Sequence, residues 1–212
     1  MAFQGWPAEA LEFYEGLAAD NSRSYWVAHK EAYERDVRAP MAELLAELEP
    51  EFGPGRIYRP YRDVRFSADK SPYKDHIAAT LERGGYVQLS ARGLAAGNGM
   101  WMMDRGQLDR YRRAVADDVV GERLQRLAAR IGRGGIEVGG HDQLKTAPRG
   151  YPRDHPRIEL LRYRGLVAWR QWPAAAWLGT TAARDRVAEF LRTSASLNDW
   201  LAEHVGPPDH TA

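Results

Sequence analysis

Hydrophobic positions in the first fifty residues recur every three or four places, the repeat of one helix face. Leu11, Tyr14 and Leu17 follow Pro7, a residue suited to a helix's first turn, and predict a first helix. A longer stripe runs Trp26, His29, Tyr33, Val37, Met41, Leu44 and Leu48, with an N-cap on offer between Asp20 and Ser22. Pro40 falls inside that stripe and removes one backbone hydrogen bond, which predicts a kink or a break. Glu49-Pro50 through Gly55 closes this helical region.

From Arg56 the period shortens. Ile57 to Phe66 alternates like a strand, with Asp63 and Arg65 on one face and Arg62 and Val64 on the other. Ile77–Glu82 and Tyr86–Ala91 flank Arg83-Gly84-Gly85 and predict a hairpin. Gly97-Asn98-Gly99 reads as a turn before the apolar Met100–Met103. Asp104 then caps a helix whose stripe is Leu108, Tyr111, Val115, Val119, Leu124, Leu127 and Ile131. Gly132 to Gly140 reads as a loop, and Pro148, Pro152 and Pro156 keep the chain irregular until about Arg157. Leu166–Trp172 predicts a last strand and Ala182–His204 an amphipathic helix.

Strands in the middle and helices outside them predict an α+β fold, a central mainly antiparallel β-sheet with helices at both ends of the chain packed on it. The expected organisation is a single globular domain over residues 1–206 and a flexible tail over 207–212. A content of 44% hydrophobic and 28% charged residues excludes a disordered chain. No stretch approaches the roughly 20 apolar residues that span a bilayer, so no membrane partner is expected. There is no basic-then-apolar N-terminal leader and no cysteine. Disulfides, a thiol nucleophile and Cys-ligated metals are therefore excluded, and a cytoplasmic location is the expectation.

Charge changes the picture more. The total is +1, yet residues 56–75 and 141–164 each carry an excess of three positive charges, leaving the rest of the chain at −5. The run from Arg62 to Lys74 holds four cations and two carboxylates in thirteen residues. Such a segment is not a plain core strand, because burying unpaired charge costs more than its few apolar groups return. It is either a salt-bridge staple or a site for something anionic.

That run, with Leu144 to Pro156 (Leu-Lys-Thr-Ala-Pro-Arg-Gly-Tyr-Pro-Arg-Asp-His-Pro), resembles the bacterial and fungal family catalogued as domain of unknown function 2461. Asp20 to Trp26 with His29-Lys30 and Tyr33, and later Glu159 to Tyr163, fit the same family. The similarity spans roughly residues 3 to 201. It implies one domain filling the chain and supplies no activity. Ala68 stands where such proteins often have lysine, and Asp75 where threonine is common.

Arg62, Arg65, Lys70, Lys74, Lys145 and Arg149 are the candidates to hold a phosphate or carboxylate, since arginine forks match planar oxyanions. Asp63, Asp69 and Asp154 are the candidates to orient them, and Tyr73, Tyr151 and His155 to transfer protons. The bland alternative pairs the cations with Asp63, Asp69 and Glu159 to fasten loops, and makes His155 a surface residue beside a turn. No histidine pair has zinc spacing, and no glycine cluster matches a P-loop or dinucleotide fingerprint, so neither metal nor cofactor is expected. Ser67 and Ser71 lie outside any nucleophile elbow.

The leading expectation is binding or turnover of a small anionic metabolite in a basic cleft lined by the Arg62–Lys74 and Lys145–His155 segments. The second is a nucleic-acid or protein interaction module on the same surface. A neutral total charge argues against nucleic acid. A purely structural charged motif is the third.

Overall fold

Ser22 opens the second helix as its sequence predicts: its side chain accepts a hydrogen bond from the Tyr25 N–H at 3.1 Å. The computed structural model describes residues 2–65 and 68–209. Within it the chain forms two compact units, Met1–Ala96 with Gln171–Phe190, and Gly97–Arg170 with Leu191–Ala212. The fold is α+β with a six-stranded sheet in the order β1-β2-β3-β4-β6-β5. The pairs β1–β2, β2–β3 and β5–β6 are antiparallel. Strands β4 (Gly93–Met100) and β6 (Leu166–Pro173) and helix α7 (Ala182–His204) run from one unit into the other.

In the first unit α1 (Glu9–Ala19) is followed by the long stripe, which the structure divides in three. Helix α2 (Arg23–Ala32) passes into a π-helical segment, Tyr33–Arg38, and then into α3 (Ala39–Phe52). Pro40 lies where the π segment passes into α3, and the wider π turn just before it is the local adjustment that accommodates the missing N–H. Trp26, Tyr33, Val37, Met41, Leu44 and Leu48 are buried, whereas His29 faces solvent and stacks on Tyr25.

Tyr33 and Tyr86 in this unit have phenols pushed up to about 12, chiefly by burial. The native state therefore holds these protons more tightly than the unfolded chain, whose phenols titrate near ~10. Stability is full below ~10 and falls as pH rises toward about 12. Phenolate absorbance and circular dichroism followed together should show these two, with the buried Tyr14 and Tyr111, ionising only as structure is lost. Ionisation of all ten tyrosines near pH ~10 with the fold intact would contradict this packing.

The predicted hairpin is β2 (His76–Leu81) and β3 (Tyr86–Ser90), joined through Gly84 and Gly85, both at positive φ. Among the described residues the predicted strand over 57–66 does not continue past Ile57. Strand β1 covers only Gly55–Ile57, and beyond it the backbone makes a single bridge, Tyr61 to Tyr73. Charged side chains in that segment find partners within it, as described below, instead of facing a core.

In the second unit Gly97-Asn98-Gly99 is not a turn: β4 runs straight through it. Gly99 has φ +118°, and a Cβ there would sit 2.3 Å from the Leu166 carbonyl oxygen, so glycine lets β6 approach. Asn98 is buried; its amide donates to Ser194 Oγ at 3.1 Å and its oxygen accepts from Asn198. The single predicted helix after Asp104 is two, α4 (Arg105–Ala116) and α5 (Asp118–Gly132). Asp117 breaks it, because its carboxylate caps the N–H groups of Val119 and Val120. The glycine-rich stretch hides a short strand, β5 (Glu137–Gly139), and α6 (Ile158–Arg162) follows the prolines.

Part of the expected tail is held. Arg110 donates to the Pro207 carbonyl and to Asp209, and the Asp209 N–H donates to Asp104. Residues 210–212 lie outside the described residues, as do Phe66 and Ser67. Among the described residues no helix is long and apolar enough to cross a membrane.

Candidate functional site

The two basic segments belong to different units, and each builds its own surroundings. In the first unit the Tyr61–Tyr73 bridge is closed by the Arg62 N–H to the Pro72 carbonyl (2.9 Å) and the Lys74 N–H to the Pro60 carbonyl (2.8 Å). Asn21 clamps the same point: its amide donates to the Tyr73 carbonyl and its oxygen accepts the Tyr73 N–H, both at 3.1 Å. The Tyr73 ring lies flat on Trp26, centroids 4.5 Å apart, and is 5% exposed. Burial raises the Tyr73 phenol above its ordinary range, away from neutral-pH proton transfer. Tyr73 thus serves as an anchor of this loop.

The cations of the run turn inward on its own acceptors. Arg62 pairs with Asp69. Arg65 grips Asp63 with two forks, at 3.0 and 2.7 Å, and its N–H reaches the same carboxylate at 3.3 Å. Lys70 Nζ donates to the Val64 carbonyl at 3.0 Å. The Asp69 carboxyl is held well below its usual range by the Ser71 hydroxyl first, then by Arg62 and the Ser71 N–H. Asp63 is lowered too, mainly by Arg65. Exposed pairs of this kind add little global stability, but together they set the loop's shape. Lys74 differs: it is half-buried, 5.4 Å from the centre of the Tyr58 ring, and its ammonium is lowered by burial and by nearby Arg59.

In the second unit the backbone bridge Gln143–Tyr163 fixes one end of the loop, with the Leu144 N–H on the Arg162 carbonyl at 2.9 Å. Arg162 returns to the Leu144 carbonyl at 2.6 Å and to Glu159 at 3.0 Å. Two proline turns follow, Pro148 to Tyr151 and Pro152 to His155, with Gly150 at φ +90°. The His155 Nδ1 accepts the Arg157 N–H at 3.0 Å, so a backbone N–H orients this ring and Nε2 is its other nitrogen. Arg157 turns into the interior, 6% exposed. Lys145, Arg149 and Arg153 face solvent, and among the described residues no ion pair joins them to a carboxylate.

Sequence reasoning passed over Arg157 as one more cation of a basic segment. The signal available was its place directly before a helix, after three prolines that force the chain to turn inward. Two other histidines are engaged locally: His76 with Asp75 at 2.7 Å, and His141 stacked on Trp101 at 3.8 Å. Among the described residues no group of three histidine or carboxylate side chains converges as a metal site would require.

A model of one family, described as Conserved hypothetical protein (DUF2461), matches residues 9–200. No curated protein and no solved structure matches the chain.

Proposed function

We propose that this chain, which belongs to the DUF2461 family of conserved hypothetical proteins, binds a small phosphate- or carboxylate-bearing metabolite. In this reading the loop Lys145–His155 makes the principal contacts. One observation carries it: Lys145, Arg149 and Arg153 stand exposed and without carboxylate partners on a loop held at both ends by backbone bonds. A rigid mount lowers the entropy cost of gripping an anion. Tyr151 and the Nε2 of His155 are the groups placed to exchange a proton if the ligand is also turned over.

The pairing of Arg62 with Asp69 and Arg65 with Asp63 favours a second reading for that run alone, a staple that shapes the loop. Binding of phosphorylated and carboxylated metabolites, followed by amide chemical-shift changes, separates the two. The Lys145→Ala/Arg149→Ala variant should weaken binding at least ~10-fold and melt within ~2 °C of the parent chain, because both side chains are exposed. Unchanged affinity in that variant sinks the reading. A Kd that climbs steeply with salt and a preference for oligonucleotides would replace it with a nucleic-acid site.

A further inference from the structure

The outer side of α5 carries arginines at positions 123, 126 and 130, and Arg133 follows as its C-cap residue, still in helical conformation. At 100° per residue these four lie within one narrow arc of the helix, spread over about 15 Å of its axis. They border a groove of about 650 Å³ whose base includes Trp200 and whose far wall includes Ser196, both from α7. All six residues belong to the second unit. None of them lies in either basic segment considered above.

The partners these arginines have are weak ones. Arg123 reaches Glu203 at 3.4 Å and Arg126 reaches Glu122 at 3.7 Å, each pair more than half exposed. Exposed pairs of this length contribute ~0–1 kcal/mol, so both guanidiniums are free to exchange them for a better acceptor. Arg130 donates to the neutral Ser196 hydroxyl at 3.0 Å. Arg133 is exposed, and among the described residues no ion pair joins it to a carboxylate. Trp200, 1% exposed, keeps its indole N–H buried without an acceptor. A groove with an apolar base strengthens any charge–charge contact made above it.

We propose that this groove is a second anion site and that its ligand is an oligophosphate, a chain of two or more linked phosphoryl groups, free or carried on a nucleoside. Four forks in a row exceed what one phosphate or carboxylate can engage, whereas linked phosphoryl groups present acceptors along the whole row. The volume falls in the roughly 300–1,000 Å³ range of small-ligand sites. A nucleic-acid strand is disfavoured because the groove's aromatic ring is buried and offers no face for base stacking.

Calorimetric titration of the full chain with tripolyphosphate, orthophosphate, a nucleoside triphosphate and an oligothymidylate tests this. Tripolyphosphate should bind at least ~10-fold tighter than orthophosphate, and Arg130→Gln/Arg133→Gln should remove at least that advantage. Arg130→Lys/Arg133→Lys, which keeps the charge and loses the fork, should fall between the two. A nucleoside triphosphate that matches tripolyphosphate assigns recognition to the phosphate chain, and a tighter one assigns the carried form. Lys145→Ala/Arg149→Ala should leave the tight tripolyphosphate site in place, whatever weaker phosphate binding it removes at the loop, so that failure of the loop reading and failure of this one are told apart. The proposal is overturned if Arg130→Gln/Arg133→Gln binds tripolyphosphate like the parent chain. It is overturned equally if the loop variant alone loses that binding, or if oligothymidylate binds the groove more tightly than tripolyphosphate.

Discussion

Trp26→Ala is expected to lower the unfolding free energy by about 3–5 kcal/mol, the range for emptying a buried aromatic site. Trp26 is 4% exposed. It stacks on Tyr73, meets Phe13 edge-on at 5.8 Å and lies 4.8 Å from Tyr33. The ring thus touches α1, the π segment and the charged loop from its position on α2. At roughly 2–4 °C per kcal/mol for a chain of this size, the melting temperature should drop by about 6–20 °C. A second readout is local. The Tyr73 ring loses its support, so cleavage by protease within residues 62–74 should accelerate more than cleavage elsewhere. Trp26→Phe keeps part of the packing and should recover about half of the loss. Global destabilisation with no change in loop cleavage would show that Asn21 holds the loop without the aromatic stack.

Arg157→Ala should cost about 2–4 kcal/mol, through a different mechanism. The buried guanidinium donates to the Val115 carbonyl at 2.6 Å, to the Ala116 carbonyl at 3.0 Å and to Asp118 at 2.8 Å. Val115 and Ala116 end α4, where carbonyls have no partner inside the helix. Arginine therefore supplies the missing donors, and alanine leaves those acceptors unpaired and a hole beside them. Asp118 is 96% exposed, so Asp118→Ala should cost under about 1 kcal/mol. Gly121→Ala should approach the loss of the arginine itself, since a Cβ there would stand 2.1 Å from the Val115 oxygen and 2.6 Å from Arg157 Nε. Urea denaturation of the three variants checks the order. Equal losses for Arg157→Ala and Asp118→Ala would mean that the ion pair, not the carbonyl contacts, holds this corner.

Helix and hairpin periodicity was legible wherever a burial pattern ran for several turns without interruption. The strand β6 and the helix α7 follow from spacing, because one face of each is buried and must be apolar, whereas the hairpin of β2 and β3, buried on both faces, follows from two runs flanking Gly84-Gly85. Capping was legible at Ser22 and Asp104, where short polar side chains precede an apolar stripe. Asp117 has the same chemistry, but the stripe runs on through the exposed Val119, so the break between α4 and α5 was hidden.

Local composition misled where a distant segment decides the outcome. Gly97-Asn98-Gly99 has turn composition; β6 passing close to Gly99, and Ser194 and Asn198 bonding Asn98, make it strand. The alternation over 57–66 has strand period, yet ion pairs with carboxylates two and seven residues away hold the charged part of the segment out of the sheet. The +3 excess in two segments was countable from the chain, as was membership of the family that those segments suggest.

Which cations stand free was not countable, because composition records how many charges there are and not whom they face. Arg62 and Arg65 turned to their own aspartates and Arg157 turned to the end of a helix. The arginines of α5 follow three-and-four spacing with no carboxylate between Arg123 and Arg133, and that pattern was present in the chain throughout. Side-chain identity and helical period suffice for a local element. The availability of a charge depends on the carboxylates and carbonyls that folding brings within about 4 Å of it, and that is a property of the packed chain.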